Sequence, residues 1–282
     1  MGQRYRMIAL DMDGTLLNGV KAVTERSALA VNAALAAGYH VVLNTGRCPA
    51  ELAEYYPLFP NLRYVNCISG ALVYDLHERR PLATVEMDPT LVPAIMEIAE
   101  QEDVMMQLLS EKSYVERQKE ADMAHYRMAV YQEMYDRVTT RVDCLKTYYE
   151  AAKVPVEKFN IYHTSAAARA RTRQRIESAG LPVTLAEAEA TALEISPRGV
   201  SKVLGLRRLC EGLGVDASEL VVVGDADNDL SALEYAGLAV AMGNATPSVK
   251  RVADWVVADC DHDGCAEAIS RVMRMGGCGE NA

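Results

Sequence analysis

Apolar and polar positions alternate along this chain in two different ways. Met7-Ile8-Ala9-Leu10 is an unbroken apolar run and reads as a buried strand. Thr24 then caps a helix whose apolar face carries Ala28, Leu29, Val31 and Leu35, and Gly38 ends it. Tyr39 to Leu43 reads as a second strand, residues 49–56 as a short helix opened by Pro49, and Tyr64 to Ile68 as a third strand. The alternation returns near the C-terminus. A helix over 200–213 precedes the strand Leu220-Val221-Val222-Val223. A helix from Asn228 to Tyr235, a strand from Leu238 to Ala241, a helix after Pro247, a strand from Trp255 to Val257 and a last helix from Gly264 follow. Strands of continuous Val, Ile and Leu, separated by helices, predict a parallel sheet covered on both faces. The expected fold class is α/β, with a Rossmann-like parallel sheet as its core.

The middle of the chain breaks this pattern. Between 82 and 186 it is richer in Met, Tyr, Glu and Arg, with helices expected at 89–102, 119–135 and 166–179 and strands at 104–109, 114–118 and 159–163. This reads as a second α/β module of cap size inserted into the first, so that 1–81 and 187–282 form the core and 82–186 the insertion. The Met and Tyr residues of the insertion, Met105, Met106, Tyr114, Tyr126, Met128, Tyr131 and Tyr135, are expected in its core. Gly276 to Ala282 reads as a polar, disordered tail.

Composition narrows the function classes. The 282 residues suit about two domains at roughly 150 residues each. No apolar stretch approaches the roughly 18 residues of a membrane span, and no secretory leader opens the chain, so no membrane partner is expected. With 29 Lys and Arg against 39 Asp and Glu, the net charge of −10 repels nucleic acid as a main partner. Seven cysteines without a paired spacing point to reduced thiols and a cytoplasmic location. The sequence leaves a homo-oligomer open.

Three candidate loops begin where an apolar strand stops. The first strand ends in Asp11-Met12-Asp13-Gly14-Thr15-Leu16, the second in Asn44-Thr45-Gly46-Arg47, and the strand at 220–223 in Gly224-Asp225-Ala226-Asp227-Asn228-Asp229. In an open parallel sheet, ligands bind beyond the carboxyl ends of the strands, so these loops converge. Lys202, at the start of a helix, adds an ammonium where a helix N-terminus also favours an anion. Asp11, Asp13, Asp225 and Asp229 together call for a hard cation, and all-oxygen ligation suits Mg²⁺. Carboxylate, metal, lysine and the Thr45 hydroxyl describe phosphoryl transfer through an aspartyl-phosphate. An aspartate two residues beyond the nucleophile is placed to protonate a leaving alcohol and later to deprotonate water. Asp227 reads as exposed and idle. Asp225 to Asp229 and Asp259 to Gly264 also mimic the opening of a calcium loop, but Leu230 and Ser270 stand where glycine and the bidentate glutamate are needed. Asp261 or Asp263 reads instead as an N-cap of the last helix.

The motif Asp11-Met12-Asp13-Gly14-Thr15-Leu16-Leu17 resembles the nucleophile motif of the haloacid dehalogenase (HAD) superfamily. Thr45-Gly46-Arg47, Gly199-Val200-Ser201-Lys202, the Gly224–Asp229 run, Ala241-Met242-Gly243-Asn244-Ala245 and Asp263-Gly264 resemble its Cof-type phosphatases with a large α/β cap. The resemblance implies Asp11 as nucleophile and magnesium ligand, Asp13 as acid/base ligating through its carbonyl, and Asp225 as the third ligand. It implies that Thr45 and Lys202 hold the phosphoryl group, with Gly46 and Arg47 completing the substrate-binding motif. Asn228 would touch the phosphate, and Asp229 would support the metal shell or Lys202. The sequence departs from the family where Ser69-Gly70-Ala71 replaces Asn-Gly-Ala, which bears on substrate contact. The expected function is a Mg²⁺-dependent phosphatase of small phosphorylated metabolites: sugar phosphates, nucleotides or pyridoxal phosphate. A phosphomutase and a catalytically silent binding protein are the alternatives. The first differs by a bisphosphate requirement, and intact Asp11 and Asp13 speak against the second.

Overall fold

A computed structural model describes residues 4–188 and 190–277. The chain forms two compact units. The first comprises residues up to Gly46, Glu54–Ala83 and Ser201 onward, and the second comprises Arg47–Ala53 and Thr84–Val200.

The first unit opens with β1 (Met7–Leu10), α1 (Glu25–Ala36), β2 (His40–Asn44) and β3 (Tyr64–Cys67), followed by β4 (Leu72–Asp75) and β5 (Arg80–Thr84). Thr24 caps α1 by accepting the Ser27 N–H, and Gly38 follows its end at positive φ. Residues 49–56 form no single helix. They make short 3-10 turns at Ala50–Leu52 and Tyr56–Leu58, because Pro57 cannot donate a backbone hydrogen bond to continue a helix.

The second unit holds α2 (Leu91–Ala99), β6 (Val104–Leu109), β7 (Ser113–Glu116), α3 (Arg117–Glu120), α4 (Gln132–Val138), β8 (Thr139–Val142), α5 (Leu145–Ala152), β9 (Lys158–His163), α6 (Ala166–Ser178), β10 (Val183–Ala188) and β11 (Ala192–Pro197). Its six strands run in the order β10-β11-β9-β6-β7-β8. One face of its core gathers Met106, Tyr114, Phe159 and Leu193; the other gathers Met105, Tyr126, Met128, Tyr135 and Tyr162, with Tyr131 packed alongside. The expected helix over 119–135 is interrupted. Arg127 sits at φ 64 and breaks the helical run between α3 and α4. The border expected at 186/187 falls inside β10, which pairs with β11 from Val183 to Ala188. The sheet therefore carries the second unit to Val200.

The chain returns with α7 (Lys202–Leu213), β12 (Leu220–Gly224), α8 (Leu230–Tyr235), β13 (Leu238–Ala241), α9 (Pro247–Val252), β14 (Trp255–Val256) and α10 (Gly264–Gly277). Of the expected tail, 276 and 277 close α10, and 278–282 lie outside the described residues. Eight strands run in the order β14-β13-β12-β1-β2-β3-β4-β5, parallel from β14 to β3. The fully buried β1 and β12 pair from Met7–Leu220 to Leu10–Val223, as their unbroken apolar runs require. Helices α1 and α10 pack together, and α7, α8 and α9 pack in sequence. This is the α/β, Rossmann-like arrangement the strand pattern predicts. Among the described residues, no helix is long and apolar enough to cross a membrane.

Candidate active site

The strand order fixes where the polar loops meet. β1 lies between β12 and β2, so the chain leaves the sheet on opposite sides of one central strand, at the point where an open α/β sheet forms a crevice. Asp11 follows β1, and its N–H still donates to Val223 O at 3.0 Å, which ties it to β12. Lys202 begins α7. Its Nζ donates to Asp11 Oδ1 at 2.6 Å and to Asp229 Oδ1 at 2.7 Å, with all three side chains at least 92% buried. The other oxygen of Asp229 accepts the N–H groups of Asp225 and Ala226 at 3.2 and 3.3 Å. Asp229 thus holds the lysine with one oxygen and the β12 turn with the other.

Two further residues set the lysine in place. Asn66, on β3, donates through Nδ2 to the Lys202 carbonyl at 2.8 Å and to Asn44 Oδ1 at 2.7 Å. Gly70 passes so close to the start of α7 that a Cβ there would stand 2.0 Å from Ser201 O, and its φ of 96° excludes other residues as well. Ile68 and Ser69, just before it, both take positive φ, at 51° and 55°. A β-branched residue there is a genuine outlier, costing on the order of 1–3 kcal/mol. Asn, which stands at this position in the family the sequence resembles, suits the left-handed region better than Ser69 does.

The electrostatics follow from crowding. Burial pushes the Asp11 carboxyl well above its usual range; Lys202 pulls it back, while Asp229 and Asp225 push it further up. Burial and then Asp229 also raise Asp225. Burial acts to lower Lys202, but Asp11 and Asp229 outweigh it and hold the ammonium above its ordinary value. Ligand oxygens of Asp11, Asp225 and Asp229 lie within 4.8 Å of one another. One ammonium does not neutralise three carboxylates, and their oxygens are the donor set a hard divalent cation takes. Of the three, Asp11 and Asp225 are the ones the resemblance implies as ligands, while Asp229 holds Lys202 and the main chain.

The remaining sequence candidates are placed as follows. Thr45 is buried after β2; its N–H donates to Asn66 O at 2.8 Å, and its carbonyl accepts the Ser69 N–H at 2.9 Å. Gly46 is half-buried beside it. Arg47 belongs to the second unit, where Nη1 approaches Met134 Sδ at 3.3 Å. Asn228 is exposed on the turn Asp227–Asp229. Asp13 is partly exposed, and Lys21 Nζ donates to its Oδ1 at 2.8 Å.

Three further aspartates have side-chain partners that the sequence does not show. Asp227 is exposed but not idle. Thr246 Oγ1 donates to its Oδ1 at 2.8 Å, and the Ser248 hydroxyl donates to the same oxygen; together they tie the start of α9 to the β12 loop. Asp263 stands immediately before α10, its carbonyl accepting the Glu267 N–H at 3.0 Å, as expected of an N-cap, but its carboxylate and that of Asp261 reach other elements. Asp261 accepts the Gly19 N–H at 2.8 Å, and Asp263 accepts from Thr24 Oγ1 at 2.7 Å and Arg26 Nη1 at 3.2 Å, holding the β1 loop and α1 to α10. The residues that sequence reasoning missed are Asn66, Lys21, Thr15 and Asn244. Asn66 left a signal as a polar residue in the apolar run of β3, and Thr15 and Asn244 stand inside quoted motifs that gave them no role.

Comparison with known proteins gives a family and solved structures of the same fold. Residues 8–269 match the model of a family described as haloacid dehalogenase-like hydrolase. The phosphatase YwpJ of Bacillus subtilis (strain 168) is 27% identical, over 95% of this chain and 100% of its own. The pyridoxal phosphate phosphatase YbhA of Escherichia coli (strain K12) is 30% identical, over 94% and 97% respectively. The crystal structure of a haloacid dehalogenase-like hydrolase from Bacteroides thetaiotaomicron superposes with a TM-score of 0.84 at 25% identity, covering 95% of this chain and 99% of that one.

Proposed function

Because the chain belongs to the haloacid dehalogenase-like hydrolases and is a phosphatase among them, we propose that it hydrolyses monoesters of small phosphorylated metabolites through an aspartyl-phosphate on Asp11. The substrate classes are sugar phosphates, nucleotides and pyridoxal phosphate, the last in keeping with the name of one relative. The observation that carries this reading is the 2.6 Å contact of a buried lysine with Asp11 inside a cluster of buried carboxylates.

The residues divide the work. An Asp11 carboxylate oxygen attacks phosphorus, and the bond to the leaving alkoxide breaks as the Asp13 carboxyl gives that oxygen its proton. Asp13, now ionised, takes a proton from water, which attacks the same phosphorus and frees inorganic phosphate and Asp11. Lys202 and Thr45 hold the transferring group, with Gly46 and Asn228 beside it. Lys202 is kept charged by Asp11 and Asp229. The Asp11 and Asp225 carboxylates and the Asp13 carbonyl would hold Mg²⁺, which supplies neutralisation of the phosphoryl oxygens. These groups address only what every candidate substrate shares, so they do not choose among leaving groups.

The protein is assigned to the cytoplasm, a location supported by thiols rather than disulfides at Cys144, Cys210, Cys260 and Cys265. The test is a phosphate-release screen over a metabolite panel, with Mg²⁺ and with EDTA, alongside Asp11→Asn. Release that stops with EDTA, returns with Mg²⁺ and is absent in Asp11→Asn is the expected result. Undiminished release in EDTA overturns the metal assignment, and an active Asp11→Asn overturns the nucleophile.

A further inference from the structure

Asp225 is held on both of its carboxylate oxygens. Thr15 Oγ1 donates to Oδ1 at 3.1 Å, and Asn244 Nδ2 donates to Oδ2 at 3.2 Å. The same Asn244 amide donates to the Gly14 carbonyl at 2.9 Å, and its Oδ1 accepts the Cys260 N–H at 3.1 Å. Asn244 lies in the loop after β13, so one side chain joins it to the loops after β1, β12 and β14. The carboxylate is also seated against the main chain: a Cβ on Gly14 would come within 2.4 Å of Asp225 Oδ2. Asp225 therefore has its carboxylate plane set by two donors and a glycine, all from other loops.

We infer that Asn244 is a positioning residue for the divalent cation, acting through Asp225 and together with Thr15. This rests on the metal reading above and extends it to a residue that does not itself ligate. A carboxylate fixed in advance loses no side-chain freedom when the cation arrives, whereas one free to rotate must be ordered at that moment. Partners that hydrogen-bond a ligating carboxylate commonly contribute 10–100-fold in metal affinity. A purely structural role for Asn244 would instead act through the bonds to Gly14 and Cys260, lowering stability and leaving affinity unchanged.

The experiment is Mn²⁺ titration of the full chain, followed by the electron paramagnetic resonance signal of the free aquo-ion, with melting temperatures recorded in parallel. Wild type should bind one Mn²⁺ with an affinity that Asp225→Asn largely removes. Asn244→Ala and Thr15→Val should each weaken binding roughly 10-fold or more, while Thr15→Ser, which keeps the hydroxyl, stays close to wild type. The side chain of Asn244 is exposed, so Asn244→Ala should fold, and Asn244→Ser serves as a second variant at that position. Wild-type affinity in the two Asn244 variants, with Asp225→Asn impaired, overturns the positioning role alone. Equal binding by wild type and Asp225→Asn overturns the metal reading and the positioning role together.

Discussion

Lys202 Nζ lies 2.6 Å from Asp11 Oδ1, although 191 positions separate the two in the chain. The contact makes each residue a condition for the other. Lys202→Met leaves Asp11 and Asp229 buried beside each other without their cation. We expect phosphatase activity to fall at least 10²–10³-fold and stability to drop by about 3–5 kcal/mol. Steady-state kinetics and urea unfolding measure the two. A variant as stable and active as wild type would remove Lys202 from the site.

The two aspartates of the first motif should separate by leaving group. Asp11→Asn should abolish turnover and any acid-labile, trapped phosphoenzyme. Asp13→Asn should lose activity on alkyl phosphates by about 10²–10⁴-fold, yet still form phosphoenzyme from p-nitrophenyl phosphate, whose leaving group needs little protonation. Equal phosphoenzyme from wild type and Asp11→Asn would reassign the nucleophile.

Lys21 should matter through Asp13. Its ammonium donates to Asp13 Oδ1 at 2.8 Å. Lys21→Met should therefore lower kcat on alkyl phosphates several-fold, with little change on p-nitrophenyl phosphate, and Lys21→Arg should restore most of the loss. A uniform loss on both substrates would mean that Lys21 supports the loop and not the acid/base.

The second unit carries its own pH dependence. Burial raises the Glu157 carboxyl to about 7, and its Oε2 is buried without a hydrogen-bond partner. A folded value above the unfolded one gives a contribution that is favourable below about 4.5 and is lost as pH rises through 7, when the buried group must ionise. Glu157→Gln should thus stabilise the protein by on the order of 1–3 kcal/mol at pH 8 and by little at pH 4.5. Thermal melts at the two pH values measure it; an equal shift at both would place the effect elsewhere.

What the sequence shows and hides here has a physical pattern. β1, β2, β12 and β13 are legible because strands buried on both faces are unbroken apolar runs, and the loops that follow them carry the family motifs. β10 and β11 are hidden because Thr184, Glu187 and Glu194 interrupt their apolar positions, so their composition is that of half-polar strands. The helix expected over 119–135 fails at Arg127 because periodicity does not register a single left-handed residue. Asp227 looks idle because its partners, Thr246 and Ser248, lie beyond another strand. Asn244 stands inside a quoted motif, yet its bonds to Gly14, Asp225 and Cys260 join loops that only the folded sheet brings together.

The central position of β1 has a consequence during synthesis. The partner on one side, β12, leaves the ribosome about 210 residues after β1, roughly 10–40 s at ordinary elongation rates. Through that interval β1 can pair with β2 while its other edge stays open, which is the condition for strand-to-strand aggregation of nascent chains. Fragments released early carry Asp11 without Lys202 or Asp225, so they can bury no completed site. Translation arrest before β12 should therefore yield insoluble chains, and passage of β12 should mark the point at which they become soluble.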